Sequence, residues 1–466
     1  MPRPILLLEI NEVPWRLIDH YRQHPALPSL RRFFANSETY STQTVDSGEL
    51  SPWITWPTFH RGMPQTEHQI QFLGQDPMTF KGTPIWEEFR KQGHSIGICG
   101  SLQSWPPIDP GANGFYVPDT FAHDAACIPS YIEPFQRFNL RQTNENGRVI
   151  SEAGLINRDF FSLMASLPRL GITPQSIFKI VKQLIGERFN RDLTARRPTF
   201  QTIVLWDIFK ALYHPKRAPA FSTFFTNHVA SAMHRYWHHV FPEDFGETYQ
   251  GQKLPHQETM LFAMAELDRI LGDAMAMREA NPELILIFAS SMGQAAKVWG
   301  KFNGYAFAIS DIPALMATAG LSAGQFTPLL AMVPQVAVEV PDLSHREALK
   351  KALRQFKTYS GKDLFLVDEI SKSISISIIT PRIPDIEAGE LVYQGARIKW
   401  KQAGIQAHRV EVGTAYHVPE GALAIFGNNA VPSDLRASIL ATEAKDLIMT
   451  LAGLPHAREQ EQALKS

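Results

Sequence analysis

The chain has 466 residues, 45 Lys+Arg against 46 Asp+Glu, a formal net charge of −1 and two cysteines. With 44% apolar and 20% charged residues, a chain of this length buries a large core, which excludes a disordered polyelectrolyte. Balanced charge excludes the basic excess or stripe of a nucleic-acid binder. Cys99 and Cys127 alone make neither a disulfide framework nor a cysteine zinc site, which points to a reducing compartment.

At roughly 150 residues per domain the chain suits about three units, or one large core with insertions. It opens on Met-Pro-Arg-Pro, then the apolar run Ile5–Leu8 closed by Glu9, too short for the core of a signal peptide. No stretch reaches the ~18 uninterrupted apolar residues of a membrane span. The expectation is a soluble, cytoplasmic protein.

Ile5–Ile10 predicts a first strand ending at Asn11 and Glu12. Trp15–Tyr21 predicts a helix, and Leu27–Phe34 resumes an apolar pattern after Pro25. Pro84–Gln92 reads as a helix started by proline and stopped at Gly93, and Ser95–Cys99 as a buried strand between glycines. The alternation predicts an α/β chain with a mostly parallel central sheet and helices on both faces. From about Glu145 to Pro198 the texture changes to amphipathic helices such as Ile177–Phe189, which predicts a helical insertion or cap. The arginines of Arg188–Arg197 either attract an anionic substrate or membrane surface or form an ordinary solvated helix face, and the solvated face is the simpler account.

Sheet pattern returns at Ala220–Thr226, followed by a helix at about His256–Arg278 and a strand at Leu284–Ala289. Lys372–Ile379 alternates polar and apolar residues and predicts a half-exposed antiparallel strand. With Glu390–Lys401 it defines a small β-rich lobe. Ala422–Phe426 predicts the last core strand and Asp434–Ala452 a closing helix stopped by Gly453. The expected division is 1–140 for the first part of the core, 141–215 for the helical insertion and 216–310 for the second part of the core. A mixed lobe with antiparallel strands follows at 311–410, and the last core strand and closing helix at 411–466.

Polar residues gather where a parallel sheet presents its strand ends, the edge at which ligands bind in open α/β sheets. At the first strand end, Asn11 is a candidate ligand and Glu9 or Glu12 a candidate carboxylate. The plainer reading is a helix N-cap with Glu12 near the helix dipole. In Ser51–Gly62, a serine before Pro52 is a helix-start signal. A hydroxyl there either caps the helix or attacks a phosphate held at the helix terminus. Four histidines fall within His228–His239. On a helix, Ala230 and His234 share a face whereas His228 and His234 do not; no carboxylate lies inside the run, so the alternative is a set of hydrogen-bonded core imidazoles. Ser290-Ser291-Met292-Gly293 follows a strand and forms either an anion-binding turn or a plain loop. His417 lies between glycine and proline, where a lone histidine is ordinarily a surface residue.

In order, these segments resemble the alkaline phosphatase superfamily, in particular the type I phosphodiesterase/nucleotide pyrophosphatase group and the related predicted phosphohydrolase/phosphomutase proteins. The resemblance spans roughly residues 5–125, 218–310 and 410–456. It includes Trp15 and Leu27-Pro28, Gly62-x-Pro64-x-x-x-His68-x-Ile70, Ile85-Trp86 through Gly93 to Trp105-Pro106-Pro107, and Asp446–Thr450 with Gly453-Leu454-Pro455. It implies two metal ions, usually zinc, and phosphoryl or sulfuryl transfer through a Ser or Thr nucleophile. Carried over, the first metal-binding aspartate falls on Asn11. The nucleophile falls on Ser51, with Thr55 the second candidate. The Asp-x-x-x-His element falls on Ala230 and His234, with Asn227 the nearest polar substitute. The Asp-His pair falls on Ser291 and Met292, and the last histidine on His417.

Three carboxylates and one histidine are thus exchanged for Asn, Ala, Ser and Met. Two divalent cations ~4 Å apart rely on carboxylate charge, so the full dinuclear site is not expected. The expected site holds at most one divalent ion, zinc or manganese, on His234 and His417 with Asn11, Glu9, Glu12 or Asn227, while Ser290, Ser291 and His228 line an anion pocket. The expected function is a hydrolase or transferase acting on a small-molecule phosphoester: a phosphodiester, nucleotide or sugar phosphate. The alternative is a catalytically inactive protein of the same fold that binds an anion or a partner. A third reading, a transferase for surface glycans or lipid head groups, rests on the insertions alone.

Overall fold

The computed structural model describes residues 2–144, 169–249, 257–298, 305–332, 335–379, 389–409, 414–427 and 436–455. Eight strands form its central sheet: β1 (Ile5–Ile10), β2 (Ser37–Gln43), β3 (Ile96–Cys99), β4 (Phe115–Val117), β5 (Phe221–Thr226), β6 (Ile285–Ala289), β7 (Glu420–Phe426) and β8 (Ala437–Leu440). Their order is β8-β2-β7-β6-β1-β5-β3-β4. β7 runs antiparallel to both its neighbours; every other pairing is parallel.

β1 lies between β6 and β5, and all six of its residues are buried. Side chains alternate across a strand, so the two faces of β1 feed separate cores. Leu6, Leu8 and Ile10 pack with Phe33, Val229 and Met264, which come from the helices Pro28–Ala35, His228–Val240 and Gln257–Ala280. Ile5 and Leu7 pack with Trp56, Phe89 and Ile448 from the helices Pro52–Arg61, Ile85–Lys91 and Ala444–Ala452. The α/β architecture with helices on both faces is as expected. Ile10 is paired with Thr226 and Glu9 with Ala289, so the carboxyl ends of β5, β1 and β6 share one edge.

The chain end differs from expectation. Ala437–Leu440 is a further strand at the sheet edge, paired with β2, and the closing helix begins only at Ala444. The helical pattern from Ser438 to Thr442 yields to edge pairing, and the Leu440 N–H donates to Glu443, which starts the helix beyond it. Asp434 lies outside the described residues.

Residues between Phe307 and Ile405 share a separate hydrophobic core. It is roofed by an antiparallel sheet of Phe365–Ile370, Ser373–Ile378, Gln335–Glu339 and Thr327–Leu329, in that order. Ser373–Ile378 is antiparallel as predicted but not half-exposed. Strands flank it on both sides, and its polar face is closed by Gln335, whose amide donates to the buried Ser375 hydroxyl at 2.7 Å. Of the helical insertion, the helices Glu133–Asn144, Pro174–Phe189 and Arg197–Leu212 are described, and the stretch 145–168 lies outside the described residues. Among the described residues no helix is long and apolar enough to cross a membrane.

Candidate metal centre at the sheet edge

Just past β1 the backbone turns through a left-handed conformation at Glu12 (φ 61°). The turn aims the buried Glu12 carboxylate at two imidazoles. Its Oε2 lies 3.1 Å from His234 Nε2 and 3.2 Å from His417 Nε2. Among the described residues, Glu12, His234 and His417 are the group whose ligand atoms all fall within 4.8 Å of one another.

Each imidazole is held from behind. His234 projects from the helix His228–Val240, and its Nδ1 meets the Ala415 carbonyl at 3.0 Å. His417 lies on the strand Ala415–Val418, and its Nδ1 meets the Leu50 carbonyl at 2.7 Å. A carbonyl only accepts, so both Nδ1 atoms carry the proton and both Nε2 atoms face Glu12. Two lone pairs facing one carboxylate oxygen are reconciled by a proton on each nitrogen or by a cation among the three groups. Ala415–Val418 is paired with Gly293–Ala296, which sets Gln294 opposite His417. The Gln294 amide donates to Glu12 Oε2 and to the Ala230 carbonyl. Gly293 is required here, because a Cβ would stand 2.2 Å from the Glu420 carbonyl.

Burial pushes the Glu12 carboxyl up, but the His417 charge and hydrogen bonds to both imidazoles outweigh it and hold it well below the usual range. Burial pushes His417 down, and the Glu12 charge and hydrogen bond, with the Leu50 carbonyl, outweigh it and raise its affinity for a proton. The site opens on the histidine side: the His234 side chain keeps 32% of its surface exposed and that of Glu12 only 3%.

Asn11 sits beside the cluster with its amide fully engaged. It donates to Glu12 Oε1 and to Asn227 Oδ1, both at 2.7 Å, and accepts from Trp56 Nε1 at 2.8 Å. Asn11 and Asn227 therefore brace the carboxylate from its far oxygen. Thr55 and Ser291, both buried, share a hydrogen bond of 2.8 Å. Ser51 begins the helix Pro52–Arg61, as its sequence predicts, yet its hydroxyl makes no capping bond. It directly follows Leu50, whose carbonyl holds His417.

Three candidates are placed elsewhere. Glu9 points to the opposite face of β1, as strand alternation dictates, and its Oε1 pairs with His60 Nε2 at 2.7 Å; both side chains are buried. His228 faces the core: Nδ1 bonds Thr226 Oγ1 at 2.7 Å and Nε2 bonds the Ala263 carbonyl at 3.1 Å. Burial lowers its pKa to about 4, so it is neutral and offers no charge to an anion. Ser290 donates to the Ile10 carbonyl at 2.6 Å, and its own carbonyl accepts from Thr42. That turn is consumed by sheet closure.

Two polar residues at or near this edge, Gln294 and His60, had no role in the sequence. Gln294 is separated from Glu12 by most of the chain, and nothing local marks it. For His60 the only signal was its i+4 spacing from Trp56, on which it stacks with ring centroids 5.4 Å apart. Replacing His60 by leucine strands a buried carboxylate, and we expect a loss of about 3 kcal/mol in urea unfolding.

A mostly parallel α/β sheet with a carboxylate–bis-imidazole cluster at its carboxyl edge defines the class of this fold and site. No family model and no curated protein matches the chain. Among solved structures it is similar to murine ectonucleotide pyrophosphatase/phosphodiesterase 5, with 11% identity, a TM-score of 0.43, and coverage of 97% of this chain and 95% of that chain. It is also similar to phosphonoacetate hydrolase from Sinorhizobium meliloti 1021 in complex with phosphonoformate, with 12% identity, a TM-score of 0.42, and coverage of 97% and 96%.

Proposed function

We propose that the chain is a phosphoester hydrolase or phosphotransferase that works with one divalent ion held by Glu12, His234 and His417, with Ser51 as nucleophile. The observation that carries this reading is the carboxylate between two imidazoles whose Nδ1 atoms are already committed to backbone carbonyls. One carboxylate and two neutral imidazoles are a donor set for zinc, and manganese is the second choice. The second ion implied by the resemblance does not fit, because Asn11, Thr55 and Ser291 bring no charge and are bonded to other protein groups.

An ion at this site supplies positive charge to a phosphoryl oxygen. Glu12 holds the negative charge that neutralises part of it, while Gln294 and Asn11 keep the carboxylate oriented. Ser51 presents an uncommitted hydroxyl at a helix terminus, where a phosphate is favoured. Its oxygen would bond phosphorus, its proton passing to water, as the ester oxygen departs with its electron pair and takes up a proton; water would then displace the Ser51 oxygen from phosphorus. The substrate class is a small phosphodiester, nucleotide or sugar phosphate, reached from the exposed His234 side. The two free, buried cysteines support a cytoplasmic location.

The internal bonding of Asn11, Thr55 and Ser291 favours a second reading, a non-catalytic anion- or partner-binding protein built on the same scaffold. Metal content of the purified protein and turnover of bis(p-nitrophenyl) phosphate and p-nitrophenyl phosphate, with zinc or manganese added, separate the two. The enzyme reading expects about one ion per chain and turnover abolished by chelation. Saturable phosphate binding with no product from either ester would establish the second.

A further inference from the structure

The helix Pro174–Phe189 is inside out. Its buried residues are the polar Ser176, Gln183 and Glu187. Its exposed residues include Ile177, Phe178, Val181, Leu184, Ile185 and Phe189, with Phe178 at 69% and Phe189 at 88% exposure. At 100° per residue these six form one stripe, on the side opposite the buried polar residues.

Directional bonds hold the helix in this orientation. Gln183 donates to the Leu193 carbonyl at 2.6 Å and to Glu187 at 3.0 Å. Glu187 takes the Arg197 guanidinium at 2.9 Å, and Thr173, the N-cap, bonds Asp207 at 3.0 Å. Rotating the stripe inward would break all of these. Side chains left this exposed forgo the gain of burial, so the stripe marks a surface that meets something apolar.

Charge selects the occupant. Glu187 is the helix's one carboxylate, and it is buried and paired. The exposed face carries Lys182 beside the stripe and Arg188 at its end, with Arg191 just beyond. An apolar face flanked by Lys182 and Arg188, with Asp192 beyond Arg191 the nearest exposed carboxylate in sequence, is the pattern of a helix lying in the head-group layer of an anionic bilayer.

We propose that this helix docks the protein on anionic phospholipid membrane. The proposal is independent of the metal centre. Flotation of the full chain with vesicles of phosphatidylcholine and phosphatidylglycerol (3:1), against phosphatidylcholine alone, tests it, alongside light scattering and melting curves. The wild type should float with the anionic vesicles and be released by high salt. The pair F178S/I185S should reduce partitioning at least about tenfold with Tm unchanged, and K182E/R188E should abolish the preference for the anionic lipid. Wild type that stays in solution overturns the proposal. So does a dimer that the serine variants dissociate, which would make a second copy the occupant. A Tm loss in those variants without vesicle binding would show the stripe covered by the chain itself, and also overturns it.

Discussion

Replacing Glu12 by glutamine is expected to remove the bound ion and, with it, phosphoester turnover. The exchange keeps the side-chain volume and leaves Oε1 to accept from Asn11, but it deletes the one negative charge among the three groups. Loss of an outer-shell partner alone costs about 10–100-fold in metal affinity, so loss of the ligand should exceed about 100-fold. An ion bound there would also stabilise the fold: at a free concentration of 100 times Kd it would contribute about 2.7 kcal/mol. Wild type should therefore melt lower after chelation and recover with zinc, whereas E12Q should melt at one temperature in both conditions. Calorimetric titration and paired melting curves measure both effects. Wild-type zinc affinity in E12Q would remove the centre from consideration.

Ser51→Ala is expected to lower kcat by roughly 10³-fold or more, within the range for a lost nucleophile, while metal affinity stays at the wild-type value. Thr55→Ala should behave differently. Thr55 is fully buried and spends its hydroxyl on Ser291, so its loss leaves a buried partner unsatisfied and costs about 1–3 kcal/mol of stability. Turnover per folded molecule should survive. Single-turnover kinetics with bis(p-nitrophenyl) phosphate, normalised to folded protein by circular dichroism, distinguish the two. Full activity in S51A with loss in T55A would transfer the nucleophile to Thr55.

Much of the fold was written locally. Ile5–Ile10 and Leu284–Ala289 are apolar runs of strand length, and proline before and glycine after Ile85–Lys91 bound a helix where the structure has one. β2 escaped because Ser37–Gln43 has neither an apolar run nor a clean alternation; it is a strand through its pairing with β7 and β8. β8 was absorbed into the predicted closing helix, and pairing with β2 makes it a strand instead. At the site, His234 and His417 were legible only through the family resemblance; read alone, His417 fell on a loop, whereas it lies in the strand Ala415–Val418. The choice of Glu12 over Glu9 was not, because it depends on which face of β1 each occupies and on a backbone turn that no local residue pattern demands. Likewise His228 and His234 both lie in the histidine run, and the hydrogen bond of His228 to the Ala263 carbonyl marks it as a core histidine.

The left-handed turn at Glu12 has a further cost. For an L-residue that conformation is unfavourable by roughly 1–2 kcal/mol, and glycine would adopt it freely. A glycine there would relieve the backbone and forfeit the carboxylate. Position 12 is thus a point of conflict between robustness and competence: selection for a tougher scaffold alone would erase the carboxylate on which the proposed site leans.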